Sequence, residues 1–286
     1  IAAAAAAALG KLGNTTSAQL LAKALDNSPV RSSVVDAYLY NADLLLKSGN
    51  KAEAETAFRL MFAAQEALPT RAAALTGLVR TVADPTALII NTLRNEPPAL
   101  QAVAAGLVHQ CRRSMDLTAI AAELPNLAPQ TQIQLLTALR IKGDKAVRPA
   151  VVAAVASDDP QVSAAAAAAL AAVGTAEDVT LLAQLTAEGN DAVKPAAKEA
   201  LARLNAEGVD EKIVAALETT SGATLVTLVE AIGDRNMSGA TATLLQMAAN
   251  DNRRARVAAL KALGQIAVPD ELPALINVLV TADGDA

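Results

Sequence analysis

The chain has 286 residues, 70 of them alanine, with only 2 Phe, 2 Tyr, 1 His, 1 Cys and no Trp. Apolar residues make up 53%, enough for a packed core and too many for a disordered chain. One His and one Cys cannot make a zinc site, an internal disulfide or a His-paired Cys nucleophile without unusual partners, and a net charge of −5 argues against a generic polyanion binder.

An internal repeat orders the chain. With Arg256 as slot 0 and Leu263 as slot 7, slot 7 falls at Leu9, Tyr38, Leu78, Val108, Leu139, Leu170, Leu201, Ile232 and Leu263, at spacings of 29, 40, 30 and then five of 31. Nine units account for the sequence. Each opens with a helix whose apolar residues recur at helical spacing, as at Leu260, Leu263 and Ile266. A turn with an acidic residue follows, at Asp84, Asp116, Asp144, Asp210 and Asp270, suited to capping the next helix. A second amphipathic stretch then closes the unit, such as Leu88, Ile89 and Leu93. Pro29, Pro69, Pro98, Pro129 and Pro160 mark the boundaries between units, and no segment shows sustained strand alternation. One unit alone buries too little apolar surface to offset its ordering, so neighbours must stack. The expectation is an all-α fold, an α-α superhelix of about nine helix pairs in one elongated domain over residues 1–286.

The first stretch, Ala2 to Lys11, reads as the first helix of a unit, and the last, Glu271 to Leu279, as only the second. The chain is therefore expected to be a piece cut from a longer array. The longest uncharged run, Pro160 to Ala176, is too short and too weakly apolar to cross a membrane. The lone Cys111 fits a bacterial cytoplasm or periplasm equally.

These residues resemble HEAT repeats, especially the bacterial HEAT-like repeats first noted in phycobilisome lyases. The resemblance rests on Arg256 to Gly264, on Asp159-Pro160-Gln161-Val162, and on the turn aspartates Asp144, Asp210 and Asp270. It implies that the first helix of each unit lines a concave face and that its slot 0 Arg pairs with an acid at the unit boundary. Acids stand five residues before slot 0 in Asp26/Arg31, Glu66/Arg71 and Asp251/Arg256, while Glu96/Gln101 and Asp158/Ser163 keep the acid alone. The ladder reads as broken. The second unit is overlong: Gly49 to Ala54 with Phe58 resembles the middle of a tetratricopeptide repeat, giving longer helices over residues 39–77. All four aromatics, Tyr38, Tyr40, Phe58 and Phe62, fall there. Filling of the space between longer helices explains them more simply than a binding hot spot.

Few residues offer chemistry. The slot 0 helices carry 15 of the 24 basic residues and 5 of the 29 acids, which suggests a cationic face. Helical spacing, however, puts slots 2, 5 and 9 on the solvent stripe, where Lys11, Arg80, Arg203 and Lys261 are balanced by Asp36, Glu199, Glu230 and Asp234. Nucleic-acid binding is therefore not expected. His109 and Arg113, four apart, could pair on an anion, but a packed His is the simpler reading, and Cys111 reads as a small core hydrophobe. Carboxylate pairs such as Asp158-Asp159 stand where capping explains them, and no Gly-rich phosphate loop occurs. The expected function is a noncatalytic protein-binding scaffold without cofactor or metal, contacting its partner through Tyr40, Arg80, Val103, Ile141 and Arg203. The alternatives are an accessory HEAT region of a larger bacterial enzyme or a bilin lyase-like subunit.

Overall fold

The computed structural model describes residues 1–266, apart from 27, 28, 64 and 113, together with residue 276. Among them every regular element is a helix. The first helices of the nine units, here called the A helices, are α1 (Ala2–Leu12), α3 (Arg31–Lys47), α5 (Leu68–Thr81), α7 (Pro98–Gln110), α9 (Pro129–Lys142), α11 (Pro160–Val173), α13 (Val193–Arg203), α15 (Gly222–Asp234) and α17 (Arg253–Ile266). The B helices that alternate with them are α2 (Thr15–Ala24), α4 (Lys51–Ala63), α6 (Thr86–Asn95), α8 (Leu117–Ala121), α10 (Arg148–Val155), α12 (Val179–Glu188), α14 (Val209–Leu217) and α16 (Thr241–Met247). Apart from Ile276, the ninth B helix expected over Glu271 to Leu279 lies outside the described residues, as does the cap expected at Asp270.

Local chemistry sets these boundaries. Pro98, Pro129 and Pro160 open α7, α9 and α11, and Pro69 sits in the first turn of α5, positions where a missing N–H costs nothing. Asp159 caps α11 by accepting from the Gln161 and Val162 amides, and Asp116 caps α8 through Ala119 N. Asp144 caps the 3-10 turn Lys145–Val147, and Asp84 accepts from both the amide and the hydroxyl of Thr86. Asp210 departs from the expectation. Gly208, at φ 76°, holds the cap position of α14, and Asp210, the second residue of the helix, takes Arg235 at 2.7 Å.

The chain divides into two compact units, residues 1–138 and 139–286, with the division inside α9. Within the first, α1 packs on α3, α3 on α5 and α5 on α7, while α2 packs on α4 and α6 on α8. Within the second, α11 packs on α13, α13 on α15 and α15 on α17, and α12 on α14. Apart from α8, the B helices also lie against the following A helix, as in α4 on α5, α10 on α11 and α16 on α17. This stacking of like helix on like helix is the α-solenoid arrangement.

Slot 7 is the core position. From Tyr38 to Leu263 its occupants are at most 4% exposed, and Leu9 packs half-buried against the first core cluster. Slot 6 is buried alanine at Ala37, Ala138, Ala169, Ala200, Ala231 and Ala262, and its purpose shows in the glycines at slot 8. A Cβ at Gly10 would lie 2.8 Å from Ala37 O, and one at Gly233 would lie 3.1 Å from Ala262 Cα. At the α1/α3 and α15/α17 joints slot 8 of one A helix thus meets slot 6 of the next nearly backbone to backbone, which only small side chains permit. Ala8 is the exception; it is exposed on α1.

The second unit is overlong in both helices: α3 has 17 residues against 11 to 14 in the other A helices, and α4 has 13 against 5 to 10 in the other described B helices. Tyr38 and Phe58 fill the added interior at 4% and 3% exposure, and Phe58 occupies the space that a larger residue at Gly77 would need. Phe62 is half-buried beneath the Arg71 guanidinium, 5.2 Å from its ring centroid, a cation–π contact. Tyr40 alone among the four is exposed, at 51%.

Candidate protein-binding surface

The slot 0 arginines are structural, and they run in a register the sequence did not suggest. Arg31 pairs with Glu66 at 2.5 Å and Arg71 with Glu96 at 2.7 Å. Each arginine therefore takes the acid at the start of the following unit instead of its own. Glu96, expected to stand alone beside Gln101, is partnered, so the ladder continues where it had looked broken. The reason is geometric: the acid preceding an A helix faces the stacked neighbour, and a slot 0 side chain one repeat away reaches it. The hydrogen bond from Arg31 holds the Glu66 carboxyl below its ordinary value, against a smaller opposing effect of burial. Arg256 instead donates to the carbonyls of Asn250 and Asp251. A second series joins the B side. Arg94 makes a two-pronged pair with buried Glu123, and Arg148 with buried Asp178, whose carboxylate also accepts from Thr175 N.

Slot 10 supplies another device that the sequence reading passed over. Asn41, fully buried, donates from Nδ2 to Leu9 O, Gly10 O and Ser17 Oγ. Arg235, at the same slot six units later, donates from Nη1 to Leu201 O, Ala202 O and Leu204 O. In both cases a polar side chain satisfies the last carbonyls of the preceding A helix, which have no partner within their own helix. A polar residue among the apolar slot 10 residues Leu12, Val173, Leu204 and Ile266 was the available signal.

Between successive A helices open clefts that repeat with the units. The α1/α3 cleft, about 420 Å³, is floored by Ala3, Ala7 and Ala37 and edged by Lys11, Asp36 and Tyr40. The α5/α7 cleft, about 350 Å³, holds Thr76, Arg80, Gln110 and Arg112 around Val79, Leu107 and Cys111. In the second compact unit the α11/α13 cleft, about 290 Å³, sets Arg140, Glu199 and Arg203 around five alanines, and the α15/α17 cleft, about 600 Å³, combines Val226, Val257 and Ala258 with Arg253, Arg254, Lys261 and Glu230. The first three take about half of their lining from slots 5 and 9, whereas the α15/α17 cleft is lined by the N-terminal turns of α17 and by slots 1, 2 and 5. Slot 2 departs from the expected solvent stripe: Thr227 and Ala258 are buried and Val103 is half-buried. A helical wheel drawn for one helix omits the neighbour that closes over its N-terminal turns.

Of the five expected contact residues, Tyr40, Arg80 and Arg203 each edge one of these clefts. Ile141 is 57% exposed near the end of α9, and neither it nor Val103 lines any of the four. Arg80 pairs with Asp43 at 2.8 Å, and Arg203 with Glu199 at 3.0 Å. These are exposed pairs, each worth about 0–1 kcal/mol, so exchanging such a partner for a ligand carboxylate costs little. Burial pushes the Asp43 carboxyl up, but Lys47 and Arg80 together outweigh it and hold the group below its ordinary range. His109 is half-buried on α7, Arg113 lies outside the described residues, and Cys111 is buried in the wall of the α5/α7 cleft as a small hydrophobe.

Among the described residues no three His, Cys, Asp or Glu side chains gather in a way that could hold a metal ion, and no helix is long and apolar enough to cross a membrane. No curated protein gives a match to the chain. Residues 116–202 and 211–286, together more than half of the sequence, match the family of HEAT repeats. With repeat spacing, helix stacking and family match in agreement, the chain belongs to the HEAT repeat family.

Proposed function

We propose that the chain is a noncatalytic scaffold that binds a protein partner along its A-helix face. One observation carries this reading: clefts with apolar floors and polar or aromatic edges recur between successive A helices, at α1/α3 and α5/α7 in the first compact unit and at α11/α13 and α15/α17 in the second. A periodic series of shallow clefts accommodates side chains of an extended or helical partner, and HEAT arrays are commonly protein-interaction scaffolds. Tyr40 is the best anchor, because a half-exposed aromatic beside an apolar floor gains most by burial.

The test is affinity capture with the wild-type chain and with Tyr40→Ala and Arg80→Glu. Leu20→Ala serves as a control, since Leu20 is 49% exposed on the B helix α2. A partner of the A-helix face is lost from the two A-face variants and retained by the control. Equal recovery by both A-face variants refutes the surface.

A further inference from the structure

The α15/α17 cleft is the largest of the four, and it gathers three cations without an ion-pair partner among the described residues, where the α5/α7 and α11/α13 clefts each have one, Arg112 and Arg140. In the α1/α3 cleft Lys11 is offset by Asp36, and in the α11/α13 cleft Arg203 is held by Glu199. At the α15/α17 cleft, Arg253, Arg254 and Lys261 are exposed, and none of the three has an ion-pair partner among the described residues. The single carboxylate in the lining, Glu230, is turned toward Lys198 at 3.4 Å, and Lys198 also takes Asp234 at 3.5 Å. The fourth cation of this stretch, Arg256, is spent on the Asn250 and Asp251 carbonyls. The first amides of α17 are also occupied, since Asn252 Oδ1 accepts from Arg254 N and Ala255 N. What faces solvent here is therefore three side-chain cations around an apolar wall of Val226, Val257 and Ala258, in a chain whose net charge is −5.

We propose that this cleft is the docking site for an acidic peptide segment, one that places carboxylates on Arg253, Arg254 and Lys261 and an apolar side chain against Val226 and Val257. The proposal rests on the scaffold reading above and names the partner chemistry at one of its clefts. The volume of about 600 Å³ falls within the range of ligand-binding clefts, roughly 300–1,000 Å³. The mixed lining decides the class of ligand. A polyanion such as nucleic acid would use the cations and leave the valine wall unsatisfied, whereas a peptide with alternating acidic and apolar residues uses both. The cations at the rim steer the encounter, and the apolar floor sets how long the complex lasts.

The experiment is fluorescence anisotropy of the full chain with a labelled peptide of sequence Glu-Glu-Leu-Glu-Glu-Leu-Glu. Two companions are used: the same peptide with Leu replaced by Ser, and a single-stranded oligonucleotide of equal charge. Arg253→Glu/Arg254→Glu should weaken the leucine peptide by about tenfold or more, and the uncharged Val257→Ser should weaken it with the charges left in place. Lys23→Glu/Lys51→Glu makes the same change of net charge at exposed positions on α2 and α4 and should leave binding within about twofold, with circular dichroism confirming that each variant is folded. Equal binding of the serine peptide or of the oligonucleotide overturns the proposal in favour of plain charge attraction. Absence of any peptide binding, or indifference to the Arg253/Arg254 reversal, overturns it as well. A partner still captured through Tyr40 in those circumstances leaves the scaffold reading standing, and loss of both removes the two together.

Discussion

The Arg235 clamp gives the sharpest test of how the repeats are joined. The Nη1 group, with two hydrogens, serves three carbonyls at 3.0, 3.2 and 2.9 Å, while Nε and Nη2 reach Asp210 at 2.8 and 2.7 Å. The arginine side chain is 13% exposed and the aspartate 52%. Replacing Arg235 with Ala removes two full charge-assisted bonds and leaves the end of α13 short of donors, a loss of about 3 kcal/mol at roughly 1.5 kcal/mol per bond. Asp210→Ala removes only the exposed half of the arrangement and should cost about 0.5 kcal/mol. Arg235→Lys keeps the charge but not the fork and should fall between them. The assays are urea unfolding at neutral pH and hydrogen exchange of the α13–α14 junction, where opening should stay local because each repeat couples to its neighbours. A loss below about 1 kcal/mol in Arg235→Ala, or an equal loss in Asp210→Ala, would show that the carbonyl clamp contributes little.

Two further outcomes are expected. Gly77→Ala places a Cβ within 2.5 Å of Phe58 Cδ1 and Cζ, in a buried ring that has little room to move. The overpacking cost of about 1–3 kcal/mol outweighs the gain of up to about 1 kcal/mol in helix propensity, and Phe58→Leu should restore part of the loss in the double variant; a stabilised Gly77→Ala would contradict the packing. In acid, Glu66 and Asp43 have folded-state values below their ordinary 4.5 and 3.8, so their stabilisation is in place above about pH 4.5 and is lost as pH falls through the folded values. The deficit of Arg31→Gln in urea midpoint should accordingly be present at neutral pH and shrink toward pH 3, and a deficit unchanged by acid would refute the assignment.

Much of the molecule was legible in the sequence because its governing interactions are local or periodic. The 31-residue period, the buried slot 7 row, the proline starts and the caps at Asp116, Asp144 and Asp159 each depend on a few neighbouring residues, and a repeated helix pair multiplies the same signal. The alanine row at slot 6 was readable as well, and the structure adds its counterpart, the slot 8 glycines of the neighbouring helix. The expected contact set was only partly gathered into clefts: Tyr40, Arg80 and Arg203 edge them, whereas Val103 turns partly inward under the adjacent helix.

What the sequence by itself determined is the unit: a pair of helices with most of their starts, the apolar stripe through slot 7, and the need for one unit to stack on the next. The tertiary structure alone decided the partners across that stack. It assigned Arg71 to Glu96 of the following repeat, Arg235 to the carbonyls of the preceding one, and Arg253, Arg254 and Lys261 to no ion-pair partner among the described residues. The physical reason is that charged side chains of identical type at neighbouring positions look alike along the chain. Whether one is a brace or a free binding group depends on which carbonyl or carboxylate the stacked neighbour brings within about 3 Å.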